Sequence, residues 1–290
     1  MARCLLAFAF ALLSASACAL RTPLALGRRQ ITLAAAVSAT NVLQFKPAIA
    51  ADTSSTIAAD GQLVVGGGEG AYKTISSAVA AARSGSTIIV RPGIYAERLI
   101  LTHSVRLLAD AGAVLDWKST GPNEPALTVD LSSATSSCDV LVTGLVVKHF
   151  SDYFSQNYAV YVARPAPAAD VGSHIELRGC EVSSGSGSGV GIEGGDFTLT
   201  ESRVSGCKFH GVAFLGPTAR GAVRKCVVEK CKQNGLLIRD GASPTIEANK
   251  VLANGQFGAA LLDCRGLYLN SNQVSGNGKG AVSGECDADD

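Results

Sequence analysis

Apolar and polar residues alternate in short runs through the C-terminal part of the chain, and one such pattern occurs five times. Each unit ends in the same six-residue pattern. It starts with an apolar residue and two variable residues, continues with a residue that is Cys, Ser or Asn, and closes with one variable residue and Val. A glycine follows six or seven residues later and opens a second short apolar run. The step between units is 22 to 24 residues. The five units are 175–182, 197–204, 221–228, 244–251 and 267–274, and the second runs are 189–192, 211–214, 235–238, 258–261 and 280–283.

These repeats predict short β-strands, because the apolar residues alternate and the segments between them are rich in Gly, Asn and Ser. No unit has an apolar stripe of helical length. A single unit cannot bury its apolar face alone, so copies must stack into a solenoid with a continuous core. The length of the unit predicts one coil of a parallel β-helix. A leucine-rich repeat is excluded because the leucine spacing differs and no helix closes the unit.

Stacked coils place equivalent residues in columns about 4.8 Å apart. Val182, Val204, Val228, Val251 and Val274 are predicted to form one buried column. Two further columns end in asparagines, which predicts short ladders of amides bonded along the axis. These columns are Cys180, Ser202, Cys226, Asn249 and Asn272, and Gly185, Cys207, Cys231, Asn254 and Asn277.

From Gln62 onward the chain resembles the right-handed parallel β-helix proteins of the pectin-lyase-like superfamily. Segments 72–82 and 86–97 resemble the opening of pectin methylesterases, in which a short helix plugs the first coil. The local pattern also predicts a helix, with Thr74 as its N-cap and Gly85 after its end. Its apolar stripe is Ile75, Ala78, Val79 and Ala82. We therefore expect an all-β, single-stranded right-handed parallel β-helix solenoid with a short N-terminal capping helix over 51–290, and 164–170 as a surface loop.

Residues 1–50 carry five basic residues and no acid, which sets them apart from the predicted solenoid. Residues 5–17 form an apolar run too short to span a bilayer and ending in small residues, as in a signal peptide. Arg28 and Arg29 precede a second apolar stretch that ends at Ala50, and this part resembles a twin-arginine signal. The series of signal peptide, short transit stretch and second signal resembles the leaders of thylakoid-lumen proteins in algae with complex plastids. A single secretory leader is the alternative.

Removal of this leader would change the formal net charge from +1 to −4. A mildly acidic chain is a poor match for nucleic acid or for an anionic membrane. No further transmembrane helix is expected in the mature chain. The expected partners are therefore a polysaccharide or a lumenal protein complex.

The resemblance to pectin methylesterases offers one weak catalytic candidate, Asp196, in the sequence Gly195-Asp196-Phe197. The Gln-Asp segment that should accompany it is missing, which favours a turn role for Asp196. The residues predicted to point outward from the second strand of each unit lack acid–base groups. These outward residues are Gly191, Ala213, Leu237, Ala260 and Val282.

Three further groups are candidates for binding or cross-linking. Tyr153, Tyr158 and Tyr161 form the main aromatic cluster and predict either sugar stacking or loop packing. An acidic column predicts either a Ca²⁺ site or a solvated edge, and no other cofactor is expected. Two cysteine pairs lie in neighbouring coils, within reach of a disulfide, with buried free thiols as the alternative. The acidic column is Asp240, Asp263 and Glu285, and the cysteine pairs are Cys207 with Cys231 and Cys264 with Cys286.

The expected function is non-catalytic, with a flat face that binds carbohydrate or protein. The alternative is a carbohydrate-active enzyme, namely a polysaccharide esterase, lyase or epimerase. The feature that separates the two hypotheses is a surface cluster of acids with Arg, Lys or His in one groove.

Overall fold

The computed structural model describes residues 62–153, 157–265 and 268–286, so the predicted leader lies outside the described residues. Within these ranges are two short helices, α1 (Ile75–Ala81) and α2 (Pro167–Asp170), and 25 strands. In chain order the strands are β1 (Leu63–Val65), β2 (Ser86–Val90), β3 (Gly93–Tyr95), β4 (Leu99–Leu101), β5 (Val105–Ala109), β6 (Ala113–Ser119), β7 (Leu127–Val129), β8 (Asp139–Thr143), β9 (Val146–Ser151), β10 (Tyr158–Val162), β11 (His174–Arg178), β12 (Glu181–Ser184), β13 (Ser188–Ile192), β14 (Gly195–Thr200), β15 (Arg203–Ser205), β16 (Val212–Leu215), β17 (Ala219–Arg224), β18 (Val227–Glu229), β19 (Leu236–Arg239), β20 (Ser243–Glu247), β21 (Lys250–Leu252), β22 (Phe257–Leu262), β23 (Tyr268–Asn270), β24 (Gln273–Ser275) and β25 (Gly280–Ser283).

The strands form three parallel sheets, and each coil contributes one strand to each sheet in turn. Sheet A contains β1, β2, β5, β8, β11, β14, β17, β20 and β23. Sheet B contains β3, β6, β9, β12, β15, β18, β21 and β24, and sheet C contains β4, β7, β10, β13, β16, β19, β22 and β25. This is the predicted parallel β-helix, and the core lies between the three sheets.

The predicted valine column is confirmed and is longer than expected. Val182 pairs with Val204 in the next coil and with Val147 in the preceding coil, and the alignment continues through Val228 and Val251 to Val274. Val204 and Val228 are fully buried, so each coil places a branched side chain on its neighbours in the core. The repeated valine therefore fixes the register of sheet B.

The two predicted amide ladders are also present. Asn249 Nδ2 donates to Asn272 Oδ1 over 3.0 Å, and Asn254 Nδ2 donates to Asn277 Oδ1 over 3.0 Å. The same oxygens accept from the backbone amides of the preceding coil, at 2.9 Å in both ladders. These bonds satisfy buried backbone donors at the turns, which have no sheet partner there.

Helix α1 covers the N-terminal end of the core, as predicted. Thr74 Oγ1 accepts from the Ser77 amide over 3.1 Å, and Ile75 and Val79 are buried against the first coil. The Glu97 carboxylate also accepts from the first helical amides, at 2.6 Å from Ile75 N. The helix ends at Ala81 and Ala82 is extended, so the predicted stripe is one residue shorter than expected.

Segment 164–170 differs from the predicted loop, because Pro167–Asp170 form the single turn α2. Proline in the first turn of a helix costs no hydrogen bond, which permits this start. Arg220 fixes the turn to sheet A by donating to the Asp170 carboxylate over 2.9 Å. Among the described residues, no helix has the length and apolar character that crossing a membrane requires.

Candidate binding groove on sheet C

The outward face of sheet C carries a shallow groove with a floor of small and apolar residues. Register pairs in consecutive strands align this floor into one column across six coils, about 24 Å long at the coil spacing. Ala213, Leu237 and Ala260 in this column are almost fully buried, although they lie outside the main core. The column is Thr128, Tyr161, Gly191, Ala213, Leu237 and Ala260.

The walls come from the turns on either side of each strand, because the strands run across the groove. Near Leu237 the groove deepens into a cleft of about 280 Å³. Phe209, His210 and Gln233 precede strands β16 and β19 and line one side. Arg239 ends strand β19 and lines the other side.

A second cleft, of about 380 Å³, opens near Tyr161 in the earlier coils. It is lined by Arg98, Asp130, Tyr158, Tyr161 and Glu193, among others. Tyr158 also lines the cleft near Leu237, so one side chain borders both clefts.

Two stacked tyrosines form the centre of the groove. The rings of Tyr158 and Tyr161 lie 5.7 Å apart with an angle of 21° between their planes. The Tyr158 ring lies flat on Gly191, where a Cβ atom would come within 2.4 Å of the ring. Glycine is therefore required at position 191 by this close approach. Tyr161 belongs to the floor column and Tyr158 is only 7% exposed, so the pair is a packed aromatic part of the groove.

A carboxylate holds the second tyrosine in place. The Tyr161 hydroxyl donates to Glu193 Oε2 over 2.6 Å. Burial and the adjacent Glu193 carboxylate raise the pKa of Tyr161 well above its usual value, so the phenol stays protonated and continues to donate. Burial likewise raises the pKa of Tyr158.

Positive groups flank the groove at both clefts. Arg98 Nε is buried and has no hydrogen-bond partner among the described residues. Arg239 Nε donates to the Asp240 carboxylate over 2.7 Å. Burial and the nearby charge of Arg239 lower the pKa of His210 to about 4, so this wall residue is neutral near pH 7. The groove is thus uncharged along its floor and carries charged and polar residues on its walls.

Comparison with known families identifies the fold class. Residues 143–288, just over half of the chain, match the model of the right-handed β-helix region. The chain belongs to the right-handed β-helix family. Among solved structures, pectin methylesterase PemA from Erwinia chrysanthemi is similar with a TM-score of 0.44, 12% identity and coverage of 73% of this chain and 80% of that chain. A pectin methylesterase in complex with a hexasaccharide is similar with a TM-score of 0.38 and the same identity and coverage. No curated protein matches the chain.

The three tyrosines that the sequence groups together do not form one cluster in the structure. Tyr158 and Tyr161 meet in the groove, whereas Tyr153 lines neither cleft and is 46% exposed. The sequence showed the cluster but missed Arg98, Asp130 and Glu193, which come from other coils. The repeat alignment could have found Glu193, which follows the run 189–192, whereas Arg98 and Asp130 precede the five aligned units.

The expectation that Asp196 is a turn residue was wrong, because it lies in strand β14. Its carboxylate faces outward on sheet A and lies 3.7 Å from His174 Nδ1. Arg106, Asp139, His174 and Glu176 line a shallow cleft of about 440 Å³ beside this pair. Asp196 is therefore on a different sheet from the tyrosine groove.

The acidic column does not form a metal site within the described residues, where no three His, Cys, Asp or Glu side chains are placed to hold an ion. Asp240 and Asp263 occupy successive turns with φ of 60° and 53°, and Asp240 pairs with Arg239. The outward column also ends differently from the prediction. Val282 pairs with Ala259, and Ser283 takes the position opposite Ala260.

The two cysteine pairs have different states. Cys264 and Cys286 form a disulfide with their Cα atoms 4.6 Å apart. Cys207 and Cys231 are buried free thiols, as is Cys138.

Proposed function

We propose that the groove of sheet C binds an extended polysaccharide and does not act on it chemically. The observation that supports this is the apolar floor in line with the stacked Tyr158 and Tyr161. Sugar rings present flat C–H faces that pack on aromatic rings and small apolar residues, and their hydroxyls bond to polar walls. The floor of about 24 Å accommodates several sugar units in a row.

The polar and charged side chains of the walls would hold the hydroxyl groups of a sugar chain at defined positions along the groove. Arg98 has an unpartnered buried donor beside the cleft, and Glu193 and Gln233 offer acceptors and donors on the walls. Buried polar groups gain most from a ligand that satisfies them. A chain of hydroxyl-bearing sugars supplies both donors and acceptors. We place this activity in the thylakoid lumen, in line with the twin-arginine pattern at Arg28 and Arg29.

The matched variants Ala213→Trp and Ala222→Trp test the proposal. Both alanines are outward-facing and nearly fully buried, at 2% and 4% exposure, and they lie in the consecutive strands β16 and β17. Only Ala213 lies in the groove, whereas Ala222 faces out of sheet A. Calorimetry of the full chain with neutral and acidic oligosaccharides should show binding that Ala213→Trp weakens by about tenfold or more. Ala222→Trp should bind like the wild type. Equal affinity in both variants would overturn the proposal.

A second function, polysaccharide hydrolysis or elimination, is favoured by one observation. Arg98, Asp130, Tyr161 and Glu193 line a single cleft, in which the two carboxyl groups could act as general acid and base and Arg98 could stabilise negative charge. Turnover of a bound glycan that Asp130→Asn and Glu193→Gln both abolish, with binding retained, would establish the enzyme in place of the binding protein.

A further inference from the structure

Cys207 and Cys231 occupy the same position in consecutive coils. The valines three residues before them, Val204 and Val228, are paired in sheet B, and the Lys232 amide donates to the Cys207 carbonyl over 2.9 Å. The coil spacing of about 4.8 Å places the two Cα atoms within the range of about 4.4–6.8 Å that a disulfide spans. Both side chains are free thiols. The backbone is thus already arranged for a cross-link.

The chain forms such a bond elsewhere between residues a coil apart. Cys264 and Cys286 are separated by 22 residues and are joined with Cα atoms 4.6 Å apart. Cys180 and Cys226 show the contrasting case, because Ser202 lies between them in the stack. They are two coils apart, about 9.6 Å, which is beyond disulfide reach. Among the free thiols of the described residues, Cys207 and Cys231 are therefore the pair placed to react.

We infer that Cys207 and Cys231 are a reversible dithiol that becomes a disulfide in an oxidising environment. In the reduced form the Cys207 thiol donates to the Ser205 carbonyl over 3.8 Å, and the Cys231 thiol donates to the Glu229 carbonyl over 3.5 Å. The interaction between the two neighbouring thiols lowers the pKa of Cys231 and raises the pKa of Cys207. Cys231 is consequently the thiol that ionises first, and the thiolate is the reactive form.

The reaction is exchange with a small-molecule disulfide as the oxidant. The Cys231 thiolate attacks one sulfur of that disulfide, forms a mixed disulfide and releases one thiolate, which takes up a proton. Cys207 then loses its proton and attacks the Cys231 sulfur, which releases the second small thiol. The two protein thiols are oxidised, and one small disulfide is reduced to two thiols.

The bond would connect two neighbouring turns that form a wall of the groove. Cys207 precedes Phe209 and His210, and Cys231 precedes Gln233. These turns already contact each other, since the Gln233 amide donates to the Phe209 carbonyl over 3.1 Å. A disulfide would hold this wall in one arrangement. The effect on a ligand rests on the proposed function, but the formation of the bond does not.

Both thiols are buried, next to the exposed residues Lys208 and Lys232, so a small disulfide reaches them poorly in the folded chain. The test therefore includes refolding as well as incubation of the folded protein. The full chain is incubated folded, and is also refolded from denaturant, in buffers of oxidised and reduced glutathione. Free thiols are then alkylated under denaturing conditions, and peptides are mapped by mass spectrometry. We expect Cys207 and Cys231 to be linked to each other after refolding and Cys226 to be alkylated.

Single variants test the pairing without any glycan. Cys207→Ser and Cys231→Ser should each remove the 207–231 bond and leave the remaining cysteine either alkylated or as a mixed disulfide with glutathione. Cys226→Ser is the matched control, since it is also a buried stacked thiol, and should retain the 207–231 bond. Alkylation of both Cys207 and Cys231 after refolding in oxidised glutathione, with Cys264 and Cys286 linked in the same sample, would overturn the inference.

Discussion

His210 should make the stability of the protein depend on pH in the weakly acidic range. The imidazole lies in the groove wall, where burial and the charge of Arg239 lower its pKa from the ordinary 6.5 to about 4. Its Nδ1 lies 3.4 Å from the Asn234 side-chain amide, which suits the neutral ring. Acidification therefore protonates His210 in the unfolded chain well before it does so in the folded protein.

The sign follows from proton binding. Between about pH 4 and 6.5 the unfolded state holds more protons at this site, so the free energy of unfolding rises with pH in that window. With pKa values of 6.5 and about 4, one such site lowers stability by about 2 kcal/mol from pH 7 to pH 5. His149 adds to the same trend, because burial in the core also lowers its pKa.

Urea unfolding of the full chain at several pH values between 7 and 5, followed by circular dichroism, measures this dependence. His210→Gln should remove the dependence of the free energy of unfolding on pH that His210 contributes. The variant should therefore lose less stability than the wild type between pH 7 and pH 5. Gln233→Ala is the control, because Gln233 lines the same wall and does not titrate, and should keep the wild-type slope. A His210→Gln variant that loses as much stability as the wild type over this range would refute the assignment.

Three other predictions test the fold, the leader and the chemistry. Val228→Asp should abolish folding, because it buries an unpaired charge at a fully enclosed position, and a soluble variant with unchanged thermal melting would contradict the register. N-terminal sequencing of the mature protein should find a start near Ala51, and replacing Arg28 and Arg29 by lysine should leave the precursor uncleaved; retention of residues 20–50 on the mature protein would contradict this. The purified protein should show no turnover of pectin, polygalacturonate or alginate, with or without Ca²⁺, and turnover abolished by Asp196→Asn would favour the enzyme instead.

Much of the fold follows from sequence because the solenoid repeats a local pattern. Each coil must fill the same inward position with an apolar side chain. The repeat at Val182, Val204 and Val228 therefore fixes both the strands and their register. The capping helix was also predictable, since Thr74 and the apolar stripe act within a few residues. The bond from Glu97 to the start of α1 was not, because it joins residues 22 apart.

The last coil shows where the pattern misleads. Gly280 looks equivalent to Gly258 in sequence, but in the structure it pairs with Phe257. A shift of one residue exchanges the two faces of a strand, so Val282 was assigned to the wrong face. The preceding unit is followed by glycine after seven residues and this one after six, and that shortening was the only local sign of the shift.

The groove illustrates a different limit of sequence reasoning. Inward positions are constrained by the core, whereas outward positions are free to be polar. On sheet A several of them are charged, as at Glu176, Asp196 and Arg220. On sheet C the single column from Gly191 to Ala260 stays apolar, although it lies outside the main core. Residues that lack acid–base groups suggested an inert surface, yet this outward column excludes charge over consecutive coils and its members form an apolar cluster of their own. We interpret this uncharged column, with Tyr158 packed on Gly191, as support for the proposed ligand groove.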